Sequence, residues 1–176
     1  MNALQFVAAF VAGVWLAAAE RLLFAHAPIA PDLAAVVLAL LLTSRQTRTT
    51  GVRAAALLLG ASTLSLDPLG AWLLGGGVAA AVLLPLREVV FVESLWAQFL
   101  FGLVAALSLA GARGLYALFG QGPLFPFTVA DLAPPLLTGL AVPILHVLFH
   151  AAAGGWRRLR ERWEARRRSD EAPTAD

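Results

Sequence analysis

The sequence has no cysteine and no lysine. Without cysteine there is no disulfide framework, no thiol nucleophile and no thiolate metal site. Charge of either sign is scarce as well: 14% of the 176 residues are charged, 60% are hydrophobic, and the mean hydropathy is +0.78. A soluble domain of this length needs far more polar surface, because a small domain has a high ratio of surface to volume. The bilayer is the solvent that removes this requirement, so the composition points to an integral membrane protein of one domain. No serine stands in a nucleophile-elbow pattern, and there is neither a phosphate loop nor a paired-carboxylate motif. These absences argue against an enzyme. No cofactor is implied, and no nucleic-acid-binding module is present.

What is present is a series of apolar runs separated by charge. They cover residues 1–19, 33–44, 54–66, 68–86, 94–112 and 132–156. Four reach the roughly 20 residues that cross about 30 Å of hydrocarbon as helix. Residues 33–44 and 54–66 are short, in the range where a thin crossing competes with a buried or re-entrant pair. The expectation is an all-α, polytopic membrane bundle of about six segments over residues 1–156, followed by an arginine-rich tail at 157–176. Residues 114–130 carry "GQGPLFPF", whose glycines and prolines break helices, and read as an outer interfacial loop with Tyr116, Phe119, Phe125 and Phe127. The "LAAAE" at 16–20 passes for a signal-peptidase site, but no basic residue precedes it, so the first run reads as a retained helix.

Arginine sets the orientation. With the N-terminus inside, Arg45, Arg48, Arg53 and Arg87 join the seven arginines of residues 157–168 to put eleven on the cytoplasmic side, leaving Arg21 and Arg113 outside. That asymmetry predicts cytoplasmic N- and C-termini. The tail is then a topology anchor. It also has the makings of a lipid contact: Trp156 and Trp163 flank Leu159 on one narrow stripe among Arg157, Arg158 and Arg160, suited to anionic headgroups. The last residues, "DEAPTAD", read as a disordered end.

Small residues recur every four positions: Gly102, Ala106, Ala110 and Gly114 in the fifth run, Ala9, Gly13 and Ala17 in the first, Ala56 and Gly60 in the third. Such spacing lets helix backbones approach closely. Internal packing is the plain reading, and an exposed seat for a partner's helix, centred on Ala106, is the sharper one. Gly75, Gly76 and Gly77 are positioned to loosen or kink the fourth helix. The ionisable residues Glu20, Asp32, Asp67 and Asp131 stand mostly at segment ends, and no two acidic residues share a helix face near mid-membrane as a proton relay needs. Asp67, before Pro68, reads as a turn residue or helix cap at the outer surface. His146 and His150 share a helix face at metal-chelating spacing. No third ligand follows from the sequence, so no metal site is assigned.

"APIAPDLAAVVLALLL" resembles the Pro-Asp-Leu opening of the second helix in MreD, the rod shape-determining membrane protein family, through Pro31, Asp32 and Leu33. "GVRAAALLLGASTLSLDPLGAWLLGGG" is similar to that family's glycine, turn and Pro-Leu-Gly passage, at Gly60, Pro68, Leu69 and Gly70. "LLPLREVVFVES" resembles its next cytoplasmic link, with Arg87 at the basic position, and the last helix with Pro143 and its arginine tail resembles the family's C-terminus. One departure stands out: where the family carries an aspartate six residues before the Pro-Leu-Gly proline, this chain has Ser62.

The resemblance implies a noncatalytic scaffold of bacterial cell-wall elongation in the inner membrane. Its expected partners are an MreC-like single-span protein and, through it, MreB filaments, a RodA-type glycosyltransferase and a penicillin-binding transpeptidase. It also implies a bundle similar to the substrate-binding subunits of energy-coupling-factor transporters. The competing reading is such a subunit, binding a small molecule such as a vitamin. That reading needs polar groups converging on a pocket, with Ser62, Thr63, Gln98, Ser108 and Thr138 as candidates.

Overall fold

The computed structural model describes residues 3–27, 29–44, 47–65, 67–90, 93–121 and 129–170, without the side chains of 47, 48, 120, 121, 129, 130, 153, 157–159 and 161–170. Among these residues there are six α-helices and no strand: α1 (Ala3–Leu23), α2 (Leu33–Thr43), α3 (Thr47–Ser62), α4 (Leu69–Val89), α5 (Leu95–Gln121) and α6 (Ala133–Asp170), with a 3-10 turn at Val129–Leu132 before the last. Among the described residues four stretches are long and apolar enough to cross a membrane: α1, α4, Leu95–Phe119 of α5 and Ala133–Trp156 of α6. The chain divides into two compact units, Met1–Pro143 and Ile144–Asp176.

Three boundaries differ from the sequence expectation. α3 starts at Thr47 rather than at residue 54, because "TRTTGVR" contains no proline and Thr50 is buried. α5 does not stop at residue 112: it runs through Gly114, Tyr116 and Phe119 to Gln121, so those residues are helical rather than part of an outer loop. A single glycine weakens a helix without ending it. Pro123, Phe125, Pro126 and Phe127 lie outside the described residues. α4 likewise continues through Gly75, Gly76 and Gly77. α6 carries on past the end of its apolar run to Asp170, and the final residues 171–176 are outside the described set.

α2 is the centre of the first unit. At 11 residues it is about 16 Å long, well short of the hydrocarbon core. It survives at that length because it is enclosed: Ala34, Ala35, Val36, Leu38, Ala39 and Leu42 are buried, and α1, α3, α4 and α5 all pack on it. Both of its ends are closed by side chains. At the start, Asp32 is the N-cap, its Oδ1 accepting from Ala35 N at 2.8 Å. At the other end, Arg87 Nη1 donates to the carbonyls of Leu42 and Ser44 at 3.1 and 3.0 Å, placing positive charge at the negative helix terminus.

α1 and α3 touch backbone to backbone. A Cβ on Gly13 would collide with the Leu57 carbonyl oxygen, and one on Gly60 with that of Phe10. α4 meets α5 the same way at Gly75, where a Cβ would stand 2.8 Å from Leu109 Cα. Gly102 of α5 faces Gly139 and Val142 of α6. The small residues of the first, third and fifth runs are therefore used at least in part inside the unit. Ala106 in particular is buried at 3% exposure, so it is not the centre of an exposed stripe. Outward-facing surface is apolar: Leu4, Val7, Val11 and Trp15 on α1 and Leu136, Leu137 and Leu140 on α6 are exposed, as suits helices bathed in lipid.

Because the α1–α3 contact is made by backbone atoms, Gly60→Ala should destabilise the protein by about 2 kcal/mol or more, seen as a lowered thermal midpoint in detergent. Gly77→Ala, whose Cβ would meet nothing within 4 Å, should be neutral or stabilising by up to about 1 kcal/mol. Equal midpoints for the two variants would mean that α1 and α3 separate at no cost.

Candidate functional site

One cluster of polar groups in the first unit lies where α1, α3 and α5 end and α2, α4 and α6 begin. Asp32 is held there by three contacts. Its backbone N–H donates to Thr138 Oγ1 at 2.8 Å, its Oδ1 caps α2, and its Oδ2 lies 3.0 Å from Arg113 Nη2. Arg113 in turn places Nε 3.1 Å from Asp67 Oδ2, an ion pair without the alignment of a good hydrogen bond. Its guanidinium carbon stands 4.3 Å from the centre of the Trp72 ring, within cation–π range.

Each participant is set by its local structure. Asp67 sits in the tight turn between α3 and α4, where its N–H donates to Ser65 Oγ at 3.0 Å and Ser65 Oγ donates back to Asp67 Oδ2 at 3.1 Å. Pro68 then starts α4 as its N-cap, with Trp72 one turn later and buried to 5% exposure. Thr138, fully buried, also donates to its own helix at Pro134 O, 2.9 Å away, so its hydroxyl is used in both directions. Glu20, near the end of α1, accepts from Leu33 N at 3.1 Å. The first turn of α2 thus faces two carboxylates, which its dipole favours. Arg21 donates to the Leu64 carbonyl, tying α1 to the α3–α4 turn.

Of the sequence-singled residues, Pro31, Asp32 and Leu33 lead into this cluster, and Pro68, Leu69 and Gly70 border it. A Cβ on Gly70 would collide with the Tyr116 hydroxyl of α5. Gly60 is in the α1–α3 contact and Arg87 at the opposite end of α2. The structure does not bring these together as one site. Gly102 and Ala106 face inward, whereas Ala110 and Gly114 are exposed. Trp156 and Arg160 are exposed on α6, and the side chains of Arg157, Arg158 and Trp163 lie outside the described residues. His146 and His150 have ring centres 4.5 Å apart, but among the described residues no group of three or more His, Cys, Asp or Glu is placed to hold a metal.

Sequence reasoning missed Arg113 as the hub, and with it Trp72 and the joining of Asp32 to Asp67. A signal was there: on the side carrying Glu20, Asp32, Asp67 and Asp131, only Arg21 and Arg113 are available as counter-charges, and a buried carboxylate needs one. Ser62, at the aspartate position of the resembled family, turns its hydroxyl to Leu59 O at 2.8 Å, and Thr63 does the same to Gly60 O at 2.7 Å. Neither is in hydrogen-bonded contact with Arg113 or its carboxylates. Chemically the cluster is a clamp: its carboxylates are engaged by an arginine and by helix N–H groups. No family model matches the chain, and neither a curated protein nor a solved structure matches it.

Removing the hub leaves two carboxylates without their counter-charge. Arg113→Gln should therefore destabilise the protein by about 3 kcal/mol, measured by thermal unfolding in detergent, with partial recovery on adding Asp32→Asn. Asp67→Asn alone, at a more exposed position, should cost less than about 1 kcal/mol. A stable Arg113→Gln variant would show that the cluster does not hold the helices together.

Proposed function

We propose that the protein is a noncatalytic membrane scaffold of the MreD type, acting in cell-wall elongation and cell shape. In this reading it lies in the bacterial inner membrane with both termini cytoplasmic and binds an MreC-like single-span protein. Through that partner it links MreB filaments to a RodA-type glycosyltransferase and a penicillin-binding transpeptidase. The arginine asymmetry supports the orientation, which puts the Arg113 cluster on the outer side.

The observation that carries the reading is a face of α5. Ala110, Gly111 and Gly114 are exposed, and a Cβ on either glycine would meet nothing within 4 Å. Small exposed residues one turn apart on a helix apolar enough to span a membrane are what a second transmembrane helix needs for close approach, since lipid supplies no hydrophobic drive for association. The ionisable cluster supports the same reading from the other direction, because its carboxylates are committed to Arg113 and to the start of α2 rather than left for substrate. A transporter subunit would require converging polar groups, and Ser62 and Thr63 are instead bonded to their own helix.

Affinity purification from native membranes in mild detergent, with mass spectrometry of everything retained, tests this. A single-span protein with a large extracytoplasmic domain should be recovered with the wild type. Its recovery with Gly111→Leu/Gly114→Leu should be about tenfold lower, the size of a lost helix–helix contact of about 1–2 kcal/mol. Recovery of ATPase subunits or a bound metabolite instead would overturn the scaffold in favour of a transporter subunit.

A further inference from the structure

The end of α6 combines three features that the bundle does not require. Its helix continues unbroken from the apolar stretch, which closes at Trp156, to Asp170. Immediately before Trp156 stand Gly154 and Gly155, and a Cβ on either would meet nothing within 4 Å, so no packing contact explains a glycine at either place. Each weakens a helix relative to alanine, and a glycine pair is a recognised place for a helix to bend. Beyond them, seven of the chain's thirteen basic residues fall between positions 157 and 168. By helical register Trp156, Leu159 and Trp163 share one stripe, Arg160 and Arg167 stand beside it, and Glu161 and Glu164 fall away from it. Trp156 itself is 72% exposed.

We propose that this segment is a reader of anionic lipid: pivoting at Gly154–Gly155, it lays its tryptophan stripe into the headgroup layer and its arginines against lipid phosphates. The partner follows from charge and position. The segment begins where the apolar stretch gives way to arginine, which is the depth of the headgroups. Tryptophan favours that boundary, and a dense row of arginines favours a surface of negative potential. The glycines let one chain carry both a spanning helix and a surface helix, since the second must change direction at the interface.

The chain's lack of cysteine makes the test direct. Ala165→Cys in the full-length protein, labelled with a bimane fluorophore, is placed in nanodiscs containing a lipid with a nitroxide on its headgroup. In an unbroken helix this position is about 14 Å beyond Trp156. In a surface-lying segment it is level with the quencher. Quenching should be about threefold stronger in phosphatidylglycerol than in phosphatidylcholine discs, and about 0.5 M salt should remove the difference. Changing Arg160, Arg162, Arg166 and Arg167 to glutamine should also remove it. Gly154→Ala/Gly155→Ala should bring quenching in phosphatidylglycerol down to the phosphatidylcholine level. Equal quenching in the two lipids, or a difference that survives loss of the arginines, would overturn the proposal; wild-type quenching by the double-alanine variant would overturn the pivot. The discs contain their belt protein but none of the proposed partners, so the result is independent of the scaffold reading.

Discussion

One carboxylate organises the first unit. Asp32 gives one oxygen to the N–H of Ala35 and the other to Arg113. It therefore converts a helix cap, normally a local device, into a link between α2 and α5. Arg113 passes the link on to the α3–α4 turn through Asp67 and to α4 through the Trp72 ring. Thr138 brings in α6 through the Asp32 backbone, and Glu20 brings in α1 at the next residue. In a medium of low dielectric an unpaired charge is costly. The groups are consequently interdependent, above all through Arg113, whose loss strands both Asp32 and Asp67.

The other constraint is backbone proximity. Lipid tails are as apolar as leucine, so helices associate through close contact and not through exclusion from solvent. Gly13 against Leu57, Gly60 against Phe10, and Gly75 against Leu109 supply that contact, with glycine on whichever helix must yield space. α1 shows how little else is needed. Gly13 is its only buried residue, yet it lies along α3. The polar cluster and the glycine contacts divide the labour, one fixing an end and the other fixing the approach farther along.

Much of this architecture was legible in the sequence, because the apolar runs and the charges between them are one-dimensional signals. Residues 33–44 stood out as a short run, open to a thin crossing or a buried pair, and α2 occupies almost that stretch, enclosed by its neighbours. Asp67 stood out as a turn or cap residue, and it lies in the α3–α4 turn, whereas the cap that Asp32 makes on α2 was not foreseen. The glycine spacings announced close packing without saying which helices would meet, since a four-residue repeat marks a face and not its neighbour. That is why Ala106 read as exposed when it is inside, while Ala110 and Gly114 remain outside. Arg113 was hidden for a related reason: it lies 81 residues from Asp32, and nothing local records so distant a partner. The length of α5 was misread because "GQGPLFPF" drew its boundary too far back, toward Ala112.

The shortness of α2 has a consequence for biogenesis. A segment of 11 residues cannot hold a transmembrane position by its own hydrophobic length. The arginines that engage its two ends are made later: Arg87 follows Leu42 by 45 positions, and Arg113, the partner of the Asp32 cap, follows it by 81. At roughly 5–20 residues per second of synthesis, the Asp32 carboxylate waits about 4–16 s for its counter-charge. During that interval α2 belongs at the bilayer margin or in the shelter of the insertion machinery. Its enclosure by α4 and α5 requires that both have been made, so the second helix of the chain lacks its full packing until the fifth is synthesised.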